Sequence, residues 1–171
     1  MPCPIRLVLL VVVLVGTHAH TSVKAQSHAA DDPMLRSLVG SWTGTCTIGE
    51  RTHPSDATYA WTLGGAFLEG TLSVWRDGSR RSMLFERREL LRAAGEGLIA
   101  VHLFDSREYA AWGELSGSGT SHALALDCSD GRRIAGLFTW RAADAFDCTL
   151  TMSGDRADEI EVTTITLRRR P

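Results

Sequence analysis

The segment Leu38–Ile48, which reads Leu-Val-Gly-Ser-Trp-Thr-Gly-Thr-Cys-Thr-Ile, decides the fold. Small and apolar side chains occupy its even positions from Gly40 to Ile48, and hydroxyl side chains occupy its odd positions from Ser41 to Thr47. A period of two is typical of a β-strand that has one buried face and one face in water. The segment therefore predicts the first strand of an all-β domain.

The chain after this segment continues as short apolar runs separated by turn signals such as Arg76–Ser79 and Ser116–Gly119. We count nine or ten predicted strands at a spacing of roughly ten residues, which is typical of an antiparallel barrel or sandwich. A helix competes with the strand interpretation only at Glu86–Leu91. Leu98–Phe104 is almost entirely apolar and is predicted to be the most enclosed strand. The prediction is one antiparallel up-and-down barrel of about 8–10 strands, preceded by a short helical turn at Met34–Leu38.

The N-terminus has the pattern of a secretory signal peptide. A cationic start is followed by nine consecutive Leu and Val residues, Leu7–Val15, a run that is too short to span a bilayer. We predict a signal peptide over residues 1–25, a flexible N-terminus over 26–32 and the barrel domain over 33–171; a retained membrane anchor is the alternative. Export to the periplasm or the extracellular space follows, with no stable membrane insertion once the leader is removed.

The charge of the remaining chain argues against some partners. Removal of Arg6 and Lys24 leaves 16 Lys plus Arg against 20 Asp plus Glu, so the net charge is near −4. Without a basic block, the chain offers no electrostatic attraction for nucleic acid or anionic lipid.

Gly40-Ser41-Trp42 resembles the Gly-x-Trp signature of the lipocalin (calycin) superfamily. Leu35–Trp42, together with Leu63–Gly70, is similar to small bacterial lipocalin-like domains of unknown function. The resemblance implies a ligand-holding barrel in which Trp42 plugs one end, covered by an arginine from Arg168–Arg170. It also implies that the ligand lies toward the opposite end of the barrel.

Cys46, Cys128 and Cys148 all fall on the apolar phases of their strands, where they are either small core residues or partners in one disulfide. In a meander, Cys128 and Cys148 flank one intervening strand, so their Cα atoms lie about 9.6 Å apart. A disulfide needs about 7 Å or less. The connectivity of any disulfide stays open.

Aromatic residues provide the best case for a ligand site, because several strands each carry one. The interior could be lined by these side chains or filled by them. His102 lies in the most apolar strand and is either a core or rim histidine or, as the alternative, a haem or metal ligand. The candidate ligand-binding residues are Tyr59, Trp61, His102, Phe104, Trp112, Phe138 and Trp140.

The pattern supports no catalytic residues, because no nucleophile elbow, zinc spacing or phosphate-binding loop is present. We therefore expect a non-catalytic barrel that binds a small apolar or amphipathic molecule and needs no cofactor. A protein-interaction or inhibitor module that uses the barrel loops is the alternative, followed by a small enzyme acting in the barrel mouth.

Overall fold

Ten antiparallel strands form one closed barrel in the computed structural model, which describes residues 29–154 and 160–171. Each strand pairs with its neighbours in sequence, and the first strand pairs with the last, so the predicted up-and-down barrel is confirmed. The predicted signal peptide lies outside the described residues. The strands are β1 (Gly40–Ile48), β2 (Arg51–Thr62), β3 (Phe67–Trp75), β4 (Met83–Gly95), β5 (Leu98–Asp105), β6 (Tyr109–Ser118), β7 (Ser121–Cys128), β8 (Arg133–Ala142), β9 (Ala145–Ser153) and β10 (Ile160–Arg169).

A short helix, α1 (Pro33–Leu38), covers the end of the barrel at which β1 begins and β10 ends, called here the α1 end. The Asp32 side chain accepts a hydrogen bond from the backbone N–H of Leu35 at 3.0 Å, which caps the helix. Leu35 and Leu38 are buried. A 3-10 turn, Ala29–Asp31, precedes α1 and buries Ala29, so the part of the predicted flexible N-terminus that is described packs on the barrel. A second 3-10 turn, Leu63–Gly65, joins β2 to β3.

Strand β5 differs from its prediction as the most enclosed strand. Ile99, Val101 and Leu103 point into the barrel and are buried, but His102 and Phe104 are exposed on the outer face. A barrel strand always has one inner and one outer face, because successive side chains point in opposite directions. The apolar run therefore supplies both faces and is not enclosed throughout.

Trp42 closes the α1 end, as the resemblance implied. Its ring is fully buried and packs against Phe146 and Trp140, with ring centroids 4.9 and 5.9 Å away. The Arg169 guanidinium lies 4.4 Å from the centroid of the Trp42 ring, so the predicted covering arginine is confirmed and identified. The indole N–H donates to the Leu38 carbonyl oxygen at 2.8 Å, which joins β1 to α1.

The three described cysteines are free thiols. Cys46 on β1 and Cys148 on β9 both align with Ile165 of the intervening strand β10. Their backbones are thus two strand spacings apart, too far for a disulfide without backbone movement.

Candidate ligand-binding site

The barrel encloses a cavity of about 60 Å³. It extends from Met34 and Leu38 at the α1 end toward Arg87, a residue of β4 that also lines a pocket of about 20 Å³ near the opposite end. Its wall is mostly aliphatic and aromatic, because the inward positions of the strands carry these side chains. The apolar lining includes Leu72, Leu91, Val101, Leu103, Leu115, Leu126, Ile134, Phe138, Phe146, Leu150, Ile165 and Leu167.

Four polar side chains interrupt this apolar wall: Tyr59 on β2, Arg87 and Glu89 on β4, and Cys148 on β9. Arg87 and Glu89 are two positions apart, so both point inward from one strand. An Nη2 atom of Arg87 lies 2.6 Å from Glu89 Oε1, and the Tyr59 hydroxyl donates to Glu89 Oε2 at 3.3 Å. Arg87, Glu89 and Tyr59 thus form one polar group, joined by an ion pair and a hydrogen bond, inside an otherwise apolar cavity.

Tyr59 has room to reach Glu89 because its cross-strand neighbour on β3 is a glycine. Gly70 aligns directly with Tyr59, and a Cβ atom at Gly70 would lie 2.4 Å from the Tyr59 ring. The ring therefore covers the glycine, and the hydroxyl extends to β4.

Burial sets the protonation states of this polar group. Desolvation, reinforced by the neighbouring Glu89 carboxylate, raises the pKa of Tyr59 well above its ordinary value. Desolvation also raises the pKa of Cys148 to about 12, although the nearby Arg87 charge acts in the opposite direction. Burial opposes the charge on Arg87, but attraction to Glu89 is sufficient to raise its pKa. At neutral pH the group thus contains a neutral hydroxyl and one ion pair, and Cys148 in the same wall is a thiol.

The α1 end carries a larger groove, of about 710 Å³, between α1 and the turns that follow β6 and β8. Met34 lines both this groove and the interior cavity, so the two approach each other at its side chain. The groove also contacts His122 and Trp140. His122 is buried, and its Nδ1 atom has no hydrogen-bond partner among the described residues. Desolvation lowers the pKa of His122, partly offset by the Asp32 carboxylate, so its imidazole is neutral at neutral pH.

At the opposite end of the barrel, charged side chains contact one another among the described residues. Arg107 donates to both carboxylate oxygens of Asp105, at 2.9 and 3.0 Å, and its guanidinium lies 4.2 Å from the centroid of the Phe85 ring. Glu161 lies 3.5 Å from the same guanidinium. The groove lies at the Trp42 end, whereas the sequence predicts the ligand toward the opposite end. Of the polar group, Arg87 also lines the small pocket near that opposite end.

The predicted ligand-binding residues do not form one cluster. Tyr59 and Phe138 line the interior cavity, and Trp140 lines the groove. Trp61 shares the inward phase of Tyr59 but packs half-buried against the core, outside both linings.

His102, Phe104 and Trp112 lie on the outer face, so their predicted place in the interior is wrong. Trp112 aligns with His102 across β5 and β6, and Phe104 and Trp112 are 52% and 48% exposed. The apolar character of Phe104 and Trp112 suggested the inner face. Both faces of β5 are apolar, however, and closure of the barrel directs the phase of Val101 inward.

A haem held by His102 does not fit this structure, because its imidazole is outside the barrel and the interior cavity is only about 60 Å³. Within residues 29–154 and 160–171, no group of three or more His, Cys, Asp or Glu side chains is placed to hold a metal ion. In the same ranges, no helix has the length and apolar character needed to cross a membrane.

Sequence reasoning missed Met34, Arg87, Glu89, His122 and Cys148 as residues of these two sites. One signal was available for the charged pair. Phe85, Arg87, Glu89 and Leu91 share one phase of β4, so two charged residues lie between apolar residues on the buried face. An apolar phase interrupted by opposite charges predicts a buried ion pair, because an isolated buried charge is too costly.

Comparison with known proteins supports the fold but does not identify a family. No family model matches the chain, and no curated protein matches it. Among solved structures, Rv2717c from M. tuberculosis has a TM-score of 0.63 and 17% identity over 82% of this chain and 99% of its own. The S-type phycobiliprotein lyase CPES from Guillardia theta has a TM-score of 0.58 and 11% identity over 81% of this chain and 91% of its own. At such identities the likeness shows the fold alone, and that fold is a closed antiparallel β-barrel.

Proposed function

We propose that this protein binds a small apolar or amphipathic molecule inside its barrel and does not catalyse a reaction on it. The observation that carries the proposal is an enclosed apolar cavity whose wall contains one compact polar group, Arg87, Glu89 and Tyr59. Ligand sites commonly combine an apolar lining with a few convergent polar groups that orient the ligand.

The size of the cavity limits the ligand. A water molecule needs roughly 10–15 Å³ of such space, so a cavity of about 60 Å³ offers several times that volume. The aliphatic lining disfavours water and favours an apolar occupant. We infer that the buried part of the ligand is no larger than a small ring or a short branched chain, and that any larger part extends past Met34 into the groove.

Cellular location is part of the proposal. The apolar leader over residues 1–25 supports export to the periplasm or the extracellular space, where the barrel would meet small hydrophobic molecules. Mass spectrometry of the mature protein tests this: an N-terminus at Gln26 in the exported fraction supports it, and an intact Met1 in the cytosolic fraction contradicts it.

Binding is tested with toluene and methylcyclohexane as small apolar probes, by thermal shift and isothermal titration calorimetry. We expect both to raise the melting temperature, because a molecule that binds only the folded state stabilises it. Failure of all small apolar and amphipathic probes to bind the folded protein would refute the proposal.

A matched pair of variants on β5 locates the site. Val101→Phe places a ring in the cavity and should abolish probe binding, whereas His102→Phe places the same ring on the outer face and should leave binding unchanged. Trp112→Ala, also on the outer face, is a second control. Equal binding by Val101→Phe and His102→Phe would place the probe elsewhere.

A further inference from the structure

We propose that the ligand carries an uncharged hydrogen-bond acceptor, such as a carbonyl oxygen, and that Arg87 holds this oxygen beside Glu89 and Tyr59. The natural ligand would then be a small neutral carbonyl compound and not a carboxylate. This inference rests on the proposed interior site and assigns the chemical class of its ligand.

Hydrogen-bond capacity gives the first argument. A guanidinium has five N–H donors, and the structure shows one polar contact from Arg87 to a described residue, the ion pair with Glu89. The Nε–H of Arg87 is buried without a partner among these residues. Leaving such donors unpaired in an apolar cavity is costly, so the site favours an incoming acceptor.

The acceptors of the site, by contrast, already have partners. Glu89 Oε1 forms the ion pair with Arg87, and Glu89 Oε2 accepts from the Tyr59 hydroxyl. The donor without a partner is therefore on Arg87, and an acceptor on the ligand fits the site better than a further donor does. A carbonyl oxygen can accept from Arg87 without breaking the contact between Arg87 and Glu89.

Charge balance gives the second argument. Arg87 and Glu89 are the charged residues that line the cavity, and their charges cancel. Toward the opposite end, Arg107 is balanced by Asp105, and Glu161 adds a further negative charge. A carboxylate in the cavity would thus be uncompensated and would compete with Glu89 for Arg87. Burying an uncompensated charge is strongly unfavourable, whereas a neutral carbonyl group carries no such cost.

The test compares three ligands that share a six-membered carbon ring: cyclohexanone, methylcyclohexane and cyclohexanecarboxylate. Affinities are measured by calorimetry at neutral pH. We expect cyclohexanone to bind about tenfold more tightly than methylcyclohexane, because it gains a hydrogen bond to a charged donor. We expect cyclohexanecarboxylate to bind about a hundredfold more weakly than cyclohexanone.

Two variants assign the effect to this polar group. The double variant Arg87→Leu/Glu89→Leu should lose the preference for cyclohexanone and keep methylcyclohexane binding. Glu89→Gln leaves the Arg87 charge uncompensated and should improve cyclohexanecarboxylate binding about tenfold or more. Circular dichroism and urea unfolding establish that each variant is folded, and the ranking of the three ligands by the unaltered protein is informative without any variant.

Each outcome is decisive. Equal or tighter binding of cyclohexanecarboxylate by the unaltered protein would overturn the inference, and so would a cyclohexanone preference that persists in the folded double variant. In both cases the proposed function would stand, because a ligand still binds in the interior. Absence of binding by all three compounds would instead refute the proposed interior site, and the inference with it.

Discussion

At the scale of single residues, Arg169 connects three parts of the α1 end. Its guanidinium packs on the Trp42 ring, donates to the Ser37 carbonyl oxygen at 2.6 Å, and also donates to the Val39 carbonyl oxygen. These carbonyl groups belong to the last turn of α1 and to its C-cap residue, where a helix leaves its carbonyl oxygens unpaired. One side chain of β10 thus satisfies the end of α1 and covers the first strand.

Replacing Arg169 by alanine tests this role. We expect Arg169→Ala to lower the free energy of unfolding by about 2 kcal/mol, because hydrogen bonds from a charged donor and a cation–π contact are lost together. Urea unfolding measures the change. Arg168→Ala, the exposed neighbour on the outer phase, should change stability by about 0.5 kcal/mol or less. Similar effects of the two substitutions would show that Arg169 has no special role.

At the scale of elements, the pairing of β2 with β3 positions the polar group of the cavity. Gly70 lies under the Tyr59 ring, and a Cβ atom there would approach two ring carbons at 2.4 and 2.7 Å. We expect Gly70→Ala to destabilise the protein by about 1–3 kcal/mol, the usual cost of forcing a core side chain aside. The Tyr59 hydroxyl would move, so its bond to Glu89 would weaken.

The control for this substitution is Gly78→Ala, because nothing lies within 4 Å of a Cβ atom at Gly78. Stability is measured by urea unfolding and cyclohexanone affinity by calorimetry. Equal stability of the two variants would mean that the β2–β3 contact adapts without displacing Tyr59.

Helix α1 is the second element with a functional consequence, since Met34 lines both the groove and the cavity. If the ligand enters from the groove, Met34→Ala should speed both association and dissociation of toluene, because the flexible side chain shared by the two linings is shortened. Stopped-flow tryptophan fluorescence can follow these rates, because Trp140 lines the groove. Met83→Ala, at an exposed methionine, is the control. Unchanged rates in Met34→Ala would indicate that the ligand enters from the opposite end of the barrel.

At the scale of the whole molecule, buried thiols make the folded state sensitive to alkaline pH. Burial raises the pKa of Cys46 to about 11 and that of Cys148 to about 12, from an ordinary value of 9.0. Above pH 9.0 the unfolded chain releases these protons while the folded chain retains them, so the free energy of unfolding falls as the pH rises. Their contribution to stability is complete below that value and is lost progressively above it.

The expected slope is about 1.4 kcal/mol for each thiol per pH unit, once the unfolded thiols are ionised. Urea unfolding from about pH 9 to about pH 10.5 measures it, a window that begins near the ordinary thiol pKa. The double variant Cys46→Ala/Cys148→Ala should show a shallower slope over the same window. An identical slope in this variant would assign the pH dependence to other groups, such as the buried tyrosines.

Local alternation determined much of the fold in advance. The period of two in Leu38–Ile48 and the turn signals after each apolar run predicted a closed antiparallel barrel, and the structure confirms it. The strands could be predicted because strand formation and facing depend on neighbours in the sequence. The arginine over Trp42 was implied by the lipocalin resemblance, and the structure identifies it as Arg169.

Tertiary structure alone decided the inside and the outside of strands that are apolar on both faces. In β5 it placed Val101 inside and Phe104 outside, although the sequence offers both as core residues. It also brought Tyr59 of β2 within hydrogen-bonding distance of Glu89 of β4, and left an apolar cavity beside them. These outcomes depend on how ten strands close around one interior, because closure fixes which phase of each strand points inward and which distant side chains share the space there.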